Sequence, residues 1–204
     1  MIDQKKKHSS RVGVFGASDT HYIMGNWDTA TFINWWQTKM GVKVNDFRNV
    51  YTIAGTYKEH QLADWYEQKH KCRLVRDRRV KVRGRKLVVN LDSETKDTVV
   101  EIKTHKQTDK GWQVPKNYWM QVQVQMFATK KKGKILAYAL TEEDYNNFYL
   151  PIEDNRVSEH DIPYDEQWVK NEYLPRLVYL AECLKKRKTP NMREFKERMA
   201  NANT

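Results

Sequence analysis

LVVNLDSETKDTVVEIKTHK, residues 87–106, is the stretch whose reading decides the fold. Its second half carries Val99-Val100-Glu101-Ile102-Lys103, β-branched residues in a period of two, which predicts a strand over 98–104. Side chains alternate faces along a strand, so Val100 and Ile102 enter one layer while Glu101 and Lys103 project together from the other. Its first half predicts a preceding strand over 86–92 that ends on Asp92, with Ser93 to Asp97 as the turn. A turn that tight brings the Asp92 carboxylate beside that of Glu101.

Working outward, residues 73–82 also alternate and are followed by Arg83-Gly84-Arg85 as a turn, so 73–104 predicts a three-stranded meander. Upstream, Thr56-Tyr57-Lys58-Glu59 fits a capping box, with Leu62, Ala63, Trp65 and Tyr66 as the apolar stripe of a helix running to about Lys71. Shorter helices are expected from Ser18-Asp19-Thr20 to Gly25 and from about Thr29 to Met40. Downstream, 115–129 (PKNYWMQVQVQMFAT) reads as a helix of about four turns, although Val122 and Val124 suit a strand equally well. A strand over 135–140 and a long helix over 164–188, kinked at Pro175, complete the order. Helix, three strands, helix and strand, with helices added at both ends, predicts an α/β (α+β) class.

The chain has 204 residues, with 37 Lys and Arg against 26 Asp and Glu, for a formal charge of +11. That length suits one domain, and 39% hydrophobic residues with seven Trp can build a core. Only Cys72 and Cys183 are present, which excludes a disulfide framework, a CxxC zinc ribbon and a four-cysteine iron–sulfur site. No run reaches the ~18 apolar residues of a membrane span. No GxxxxGK[ST], GxSxG or HExxH occurs, and the six His show no ligand spacing. The excess positive charge points to a polyanion. Residues 69–86 hold ten Lys or Arg and one acid, among them Arg76, Arg78 and Arg79, interleaved with strand-type residues. These bases read either as phosphate contacts or as a solvated strand face. A second basic cluster spans Lys130 to Lys134.

Two carboxylates beside one lysine suit a hard divalent cation such as Mg²⁺, which takes one or two carboxylates and keeps several waters. A cation there supports phosphodiester hydrolysis, which needs a hydroxide nucleophile and a stabilised leaving oxyanion. The bland alternative is that Glu101 and Lys103 are a surface pair worth less than ~1 kcal/mol.

A helix, strands bearing D and then ExK, and a helix bearing Gln121 resemble the core of the PD-(D/E)xK nuclease superfamily. RVGVFGAS (11–18), GTYKE (55–59), Leu91-Asp92, Glu101-Ile102-Lys103 and YWMQVQ (118–123) together look like the motif series of the lambda exonuclease and YqaJ-type viral recombination nucleases. The superfamily's Pro-Asp is Leu91-Asp92 here, and the proline is not a ligand. That resemblance implies a restriction-endonuclease-like fold with a mixed central sheet flanked by helices. It implies one nuclease domain over 1–204, with its core at about 55–140, N-terminal helices within 11–41 and the C-terminal helix at 164–188. Asp92, Glu101 and the Ile102 carbonyl would hold Mg²⁺ or Mn²⁺, one ion or two, with Glu59 as a further carboxylate. Lys103 would be the catalytic lysine, and Gln121 would orient it or the attacking water, with Tyr118 nearby. Tyr118, Gln121 and Gln125 share one helical face. Arg11 and Ser18 match the 5′-phosphate pocket of the lambda-type enzymes, although Ser18 also reads as a plain N-cap.

The activity implied is Mg²⁺-dependent 5′→3′ double-strand DNA exonuclease in a phage or prophage recombination system, leaving 3′ single strands for an annealing protein. A homotrimer and the cytoplasm of a bacterial host would follow from the same resemblance. An endonuclease or nickase on the same metal site is the alternative, and a catalytically silent DNA-binding protein is a third.

Overall fold

Thr98, Val99, Val100, Ile102 and Thr104 form a strand because branched side chains pack well on a pleated surface, and that strand is the axis of the fold. The structure, a computed structural model, describes residues 12–43, 50–108 and 111–202. They fall into two compact units, Met1–Asp46 with Lys81–Val89 and Asp165–Thr204, and Phe47–Val80 with Asn90–Tyr164.

The second unit holds a five-stranded mixed sheet flanked by helices. Its strands, numbered with all those of the chain, are β1 (Val75–Arg76), β4 (Ser93–Glu94), β5 (Thr98–Lys106), β6 (Lys132–Leu140) and β7 (Val157–Ile162), in that spatial order. β5 and β6 are parallel, with Glu101 opposite Ile135, and the remaining pairs are antiparallel. A parallel pair needs a crossover, and the helix Lys116–Thr129 supplies it. Alternation divides the apolar residues between two layers. Val100, Ile102, Leu136, Tyr138 and Leu140 pack with Leu62, Ala63 and Tyr66 of the helix Val50–His70, whereas Ile135, Ala137 and Ile162 pack with Val122 and Met126 of the crossover helix.

Three local expectations are corrected. The long helix starts at Val50, so Thr56 and Glu59 lie inside it and form no capping box. No proline or turn residue stands between 50 and 54 to stop it, and Gly55 is not punctuation. A Cβ at Gly55 would lie 3.3 Å from Thr104 Oγ1, so glycine there lets the helix approach β5 closely. The meander is also broken twice. Asp77 adopts φ 54°, a left-handed turn that Asp tolerates, and the next strand stops before Leu91-Asp92. The result is a separate two-stranded ribbon, β2 (Arg79–Val82) with β3 (Leu87–Asn90), while β1, β4 and β5 carry the meander into the main sheet. Ser18, thirdly, is no N-cap: it lies within the 3-10 turn Ala17–Asp19, whose N-cap is Gly16.

In chain order the helices are α1 (Thr20–Met24), α2 (Ala30–Lys39), α3 (Val50–His70), α4 (Lys116–Thr129), α5 (Glu142–Asn146), α6 (Glu166–Trp168), α7 (Leu174–Lys185) and α8 (Met192–Ala202). In the first unit, Phe15 makes a parallel bridge to Leu87, and Trp27 stacks on Tyr179 with ring centroids 5.6 Å apart. Asp19 is buried there and accepts from the Gly16 N–H at 2.7 Å, Trp35 Nε1 at 2.9 Å and Lys39 Nζ at 2.5 Å. The expected kink at Pro175 takes the form of a π turn, Val169–Tyr173, leading into α7. The wider turn accommodates a proline that has no N–H to give. No helix among the described residues is long and apolar enough to cross a membrane.

Candidate active site

The site grows from the break in the meander. Beyond the two residues where β4 pairs with β5, the Ile102 N–H has lost its strand partner and donates instead to Asp92 Oδ2, at 2.9 Å. The backbone of Asp92 is held as well, since its carbonyl accepts from the Asp77 N–H at 3.1 Å and the neighbouring Leu91 N–H donates to the Arg78 carbonyl at 2.9 Å. The left-handed turn at Asp77 therefore helps to set the position of Asp92.

Glu101 and Lys103 share the α4 face of β5, as alternation requires. Glu101 is 1% exposed and Lys103 Nζ lies 2.5 Å from its Oε1. Two amides on α4, one turn apart, complete the clamp: Gln121 Nε2 donates to the same Oε1 and Gln125 Nε2 to Oε2. Tyr118, on the same helical face, lies with its ring centroid 5.0 Å from Lys103 Nζ. Gln123 faces elsewhere and donates to the Pro163 carbonyl at 2.7 Å, which anchors the end of β7.

The electrostatics are lopsided. Burial pushes the Asp92 carboxyl well above the usual carboxylate range, and the negative charges of Glu101 and Glu59 push it further, against the Lys103 charge and the Ile102 N–H. Burial pulls Lys103 down, but the carboxylates of Glu101 and Asp92 outweigh it and hold the ammonium above its ordinary value. Lys103 is thus a fixed cation in a place with a surplus of negative charge. Gln125 Oε1 is buried with no hydrogen-bond partner among the described residues. Among those residues no three His, Cys, Asp or Glu side chains form a ready metal cage. What is present is a pair of crowded carboxylates, with Glu59 of α3 close enough to act on Asp92. That donor set fits a hard, oxygen-preferring cation that keeps part of its water shell, and does not fit a zinc cage of nitrogen and sulfur.

The remaining sequence-predicted residues fall outside this cluster. Arg76 is spanned by Asp64 at 2.7 Å and Glu67 at 2.6 Å, both on α3. Arg78 pairs through Nε with Glu94, which Lys131 Nζ also reaches at 2.8 Å. Arg79 is exposed on β2. Ser18 is exposed and belongs to the other unit, and Arg11 lies outside the described residues. Gln125 is the contact that the sequence placed on the same helical face as Tyr118 and Gln121 but to which it gave no role in the site. Its one signal was the i, i+4 spacing from Gln121.

Asp92, just past the end of β3, Glu101 and Lys103 on β5 and two amides of α4 thus converge, in a chain that belongs to a family of nucleases. The model of the YqaJ-like viral recombinase domain matches residues 8–132, and the chain belongs to that family. Among solved structures it is similar to the alkaline exonuclease LHK-Exo from Laribacter hongkongensis, at 14% identity over 98% of this chain and 100% of that one, with a TM-score of 0.69. The complex of LHK-Exo with dAMP is similar at 15% identity over 98% and 100%, with a TM-score of 0.70. A phage-related exonuclease from Haemophilus somnus matches at 12% identity over 94% and 96%, with a TM-score of 0.61. At these identities the likeness is one of fold. No curated protein matches the sequence.

Proposed function

We propose that the whole chain acts as one nuclease domain that degrades double-stranded DNA from 5′-phosphorylated ends, 5′→3′, in a divalent-metal-dependent reaction. The observation that carries this reading is the surplus of negative charge around Lys103: Asp92 is pushed towards its neutral form by burial and then by Glu101 and Glu59, a situation that a bound cation relieves. Asp92, Glu101 and the Ile102 carbonyl would hold Mg²⁺ or Mn²⁺, with Glu59 as a further carboxylate. When bound, the ion supplies a hydroxide nucleophile at neutral pH and charge for the leaving oxygen.

The chain's own residues do the rest. Lys103, kept protonated by its carboxylate neighbours, is a hydrogen-bond donor rather than a base. It fixes the attacking water or the phosphoryl oxygen and opposes the negative charge that builds there. Gln121 and Gln125 hold Glu101 in a single orientation, which keeps the reacting groups from wandering. Tyr118 closes one side of the lysine. Arg11 and Ser18 are proposed to take the 5′-phosphate, and Arg76, Arg78 and Arg79 to line the DNA path, with Arg76 and Arg78 also held by their own acids. The product would be a 3′ single strand passed to an annealing protein, in a phage or prophage setting within a bacterial host, with the chain assembling as a homotrimer. The dAMP complex of LHK-Exo is in keeping with such chemistry, since a deoxynucleoside monophosphate is what a DNA exonuclease releases.

The test incubates the protein, with and without Mg²⁺, with 5′-phosphorylated linear duplex, 5′-hydroxyl linear duplex and closed circular plasmid, beside Lys103→Ala. Metal-dependent loss of the phosphorylated linear DNA, with the circle spared, is the expected result. Cutting of the circle, lost in the variant, would replace the exonuclease by an endonuclease on the same site.

A further inference from the structure

The second basic cluster of the sequence, Lys130 to Lys134, has no part in the chemistry above, yet it borders an open cavity of about 800 Å³. Met126, Ile162 and Pro163 give this cavity an apolar floor, and Tyr164, Lys130 and Lys132 stand around it. All of these residues belong to the unit that carries Asp92, Glu101 and Lys103. Lys132 is opposite Thr98 in the β5–β6 register, three residues before Glu101 opposite Ile135. At about 3.3 Å per residue the cavity therefore begins on the order of 10 Å down the strands from the carboxylates.

Charge accounting within the cluster separates its lysines. Lys131 is committed to Glu94 and to the Thr95 carbonyl, both through Nζ. Lys134 is committed to Glu159 and to Asp161, the latter at 2.9 Å. Asp161 is the acid on the cavity wall, and Lys134 neutralises it. Lys130 Nζ lies over the Phe127 ring, at 4.7 Å, and neither it nor the exposed Lys132 has an ionic partner among the described residues. Among the described residues the rim is left with two uncompensated cations over an apolar floor, beside Tyr164, which is 43% exposed.

We propose that this cavity binds the backbone and an unstacked base of single-stranded nucleic acid. Lysines alone would suit any polyanion, but the floor and Tyr164 contribute only where a ligand presents an apolar face. A duplex offers phosphates and sugars while its bases stay stacked inside, and a cavity of this volume takes a small ligand, not a double helix. A single strand offers phosphates to Lys130 and Lys132 and a base face to Tyr164, the combination that sequence-tolerant single-strand binding uses. This inference rests on the nuclease reading only for the origin of the strand; the binding itself needs no catalysis.

The experiment measures binding of a fluorescent oligothymidylate by anisotropy at several salt concentrations, in the Lys103→Ala background so that the strand survives. Single-strand contacts each contribute about 0.7 to the slope of log K against log salt. The double substitution Lys130→Ala with Lys132→Ala should lower that slope by about 1.4, and Tyr164→Ala should weaken binding about tenfold with the slope kept. Melting temperatures of the variants should match the parent, because these side chains stand on the surface. An unchanged slope and affinity in both variants overturns the proposal, even if the wild type proves a vigorous nuclease. Loss of poly-L-glutamate binding in the lysine variant, with oligothymidylate binding intact, also overturns it in favour of an acidic peptide. Conversely, the expected slope change in a protein that degrades no DNA would sustain the cavity's role and defeat only the catalytic reading.

Discussion

Two clusters of buried charge sit on opposite faces of the same sheet, and one is balanced by its own ion pairs, with Glu153 as a second carboxylate on Arg156, while the other is not. On the α3 face, Lys58 is wholly buried and lies 2.9 Å from Asp144, which Arg156 reaches at 2.5 Å from the other side. Lys58 also donates to the Leu150 carbonyl at 2.7 Å, and both cations lie over the Tyr138 ring. Burial pushes Asp144 up, but the Thr141 N–H, Lys58 and Arg156 outweigh it and hold the carboxyl below its ordinary value. On the α4 face, two carboxylates with Glu59 nearby share one ammonium, and Asp92 is driven the other way. The first cluster is complete as it stands and serves the fold. The second lacks positive charge, and the proposed cation site rests on that deficit.

The largest effect is expected where the complete cluster is broken. Asp144→Ala would leave the buried Lys58 without its carboxylate and Arg156 paired with the exposed Glu153 instead, and would cost about 3–5 kcal/mol, read as a lower midpoint in urea. Lys103→Ala removes a donor from the reacting centre, with an expected fall of about 10²–10³-fold in kcat, and leaves Glu101 and Asp92 without their ammonium, a melting loss that Mg²⁺ should recover in part. A loss that Mg²⁺ leaves untouched would mean that both clusters are structural. The two sites should also part company with pH. The folded pKa of Asp144 is depressed, so its contribution is present above the unfolded value of about 3.9 and disappears as pH falls through the folded one. The stability gap between wild type and Asp144→Asn, wide at pH 7, should close in acid; a constant gap would deny the ionic account of that cluster. Asp92 is raised, so its sign is reversed: its ionisation costs stability as pH rises. Asp92→Asn should therefore raise the metal-free melting temperature at pH 7–8 by about 2–4 °C, the shift that ~1 kcal/mol makes in a chain of this size. The smallest effect concerns the duplex path, where Arg79→Ala should flatten the salt dependence of DNA binding by about one unit of slope, with sequence preference unaltered.

Much of the candidate site was legible because its cause is local. Alternation along 98–104 puts Glu101 and Lys103 on one face with no tertiary information, and helical spacing puts Tyr118, Gln121 and Gln125 together. The complete cluster was not legible, because Lys58, Asp144 and Arg156 meet across nearly a hundred residues and nothing in the spacing joins them. β7 escaped notice for a similar reason: VSEHDI is a mostly polar edge strand whose identity depends on pairing with β6. Arg76 and Arg78 looked like free phosphate ligands because their acids, on α3 and β4, come from elsewhere in the chain. The split of the meander turned on one left-handed residue, Asp77, in a run that otherwise alternates as a strand should.

The most direct measurement is the thermal shift on adding Mg²⁺ or Mn²⁺ to wild type and to Asp92→Asn, at pH 7.5 and without DNA. A cation that binds the folded state at the crowded carboxylates must raise the melting temperature of the wild type with concentration, and raise that of the variant much less. Equal shifts in the two proteins, or none in either, would contradict the claim that the charge deficit around Lys103 is a cation site.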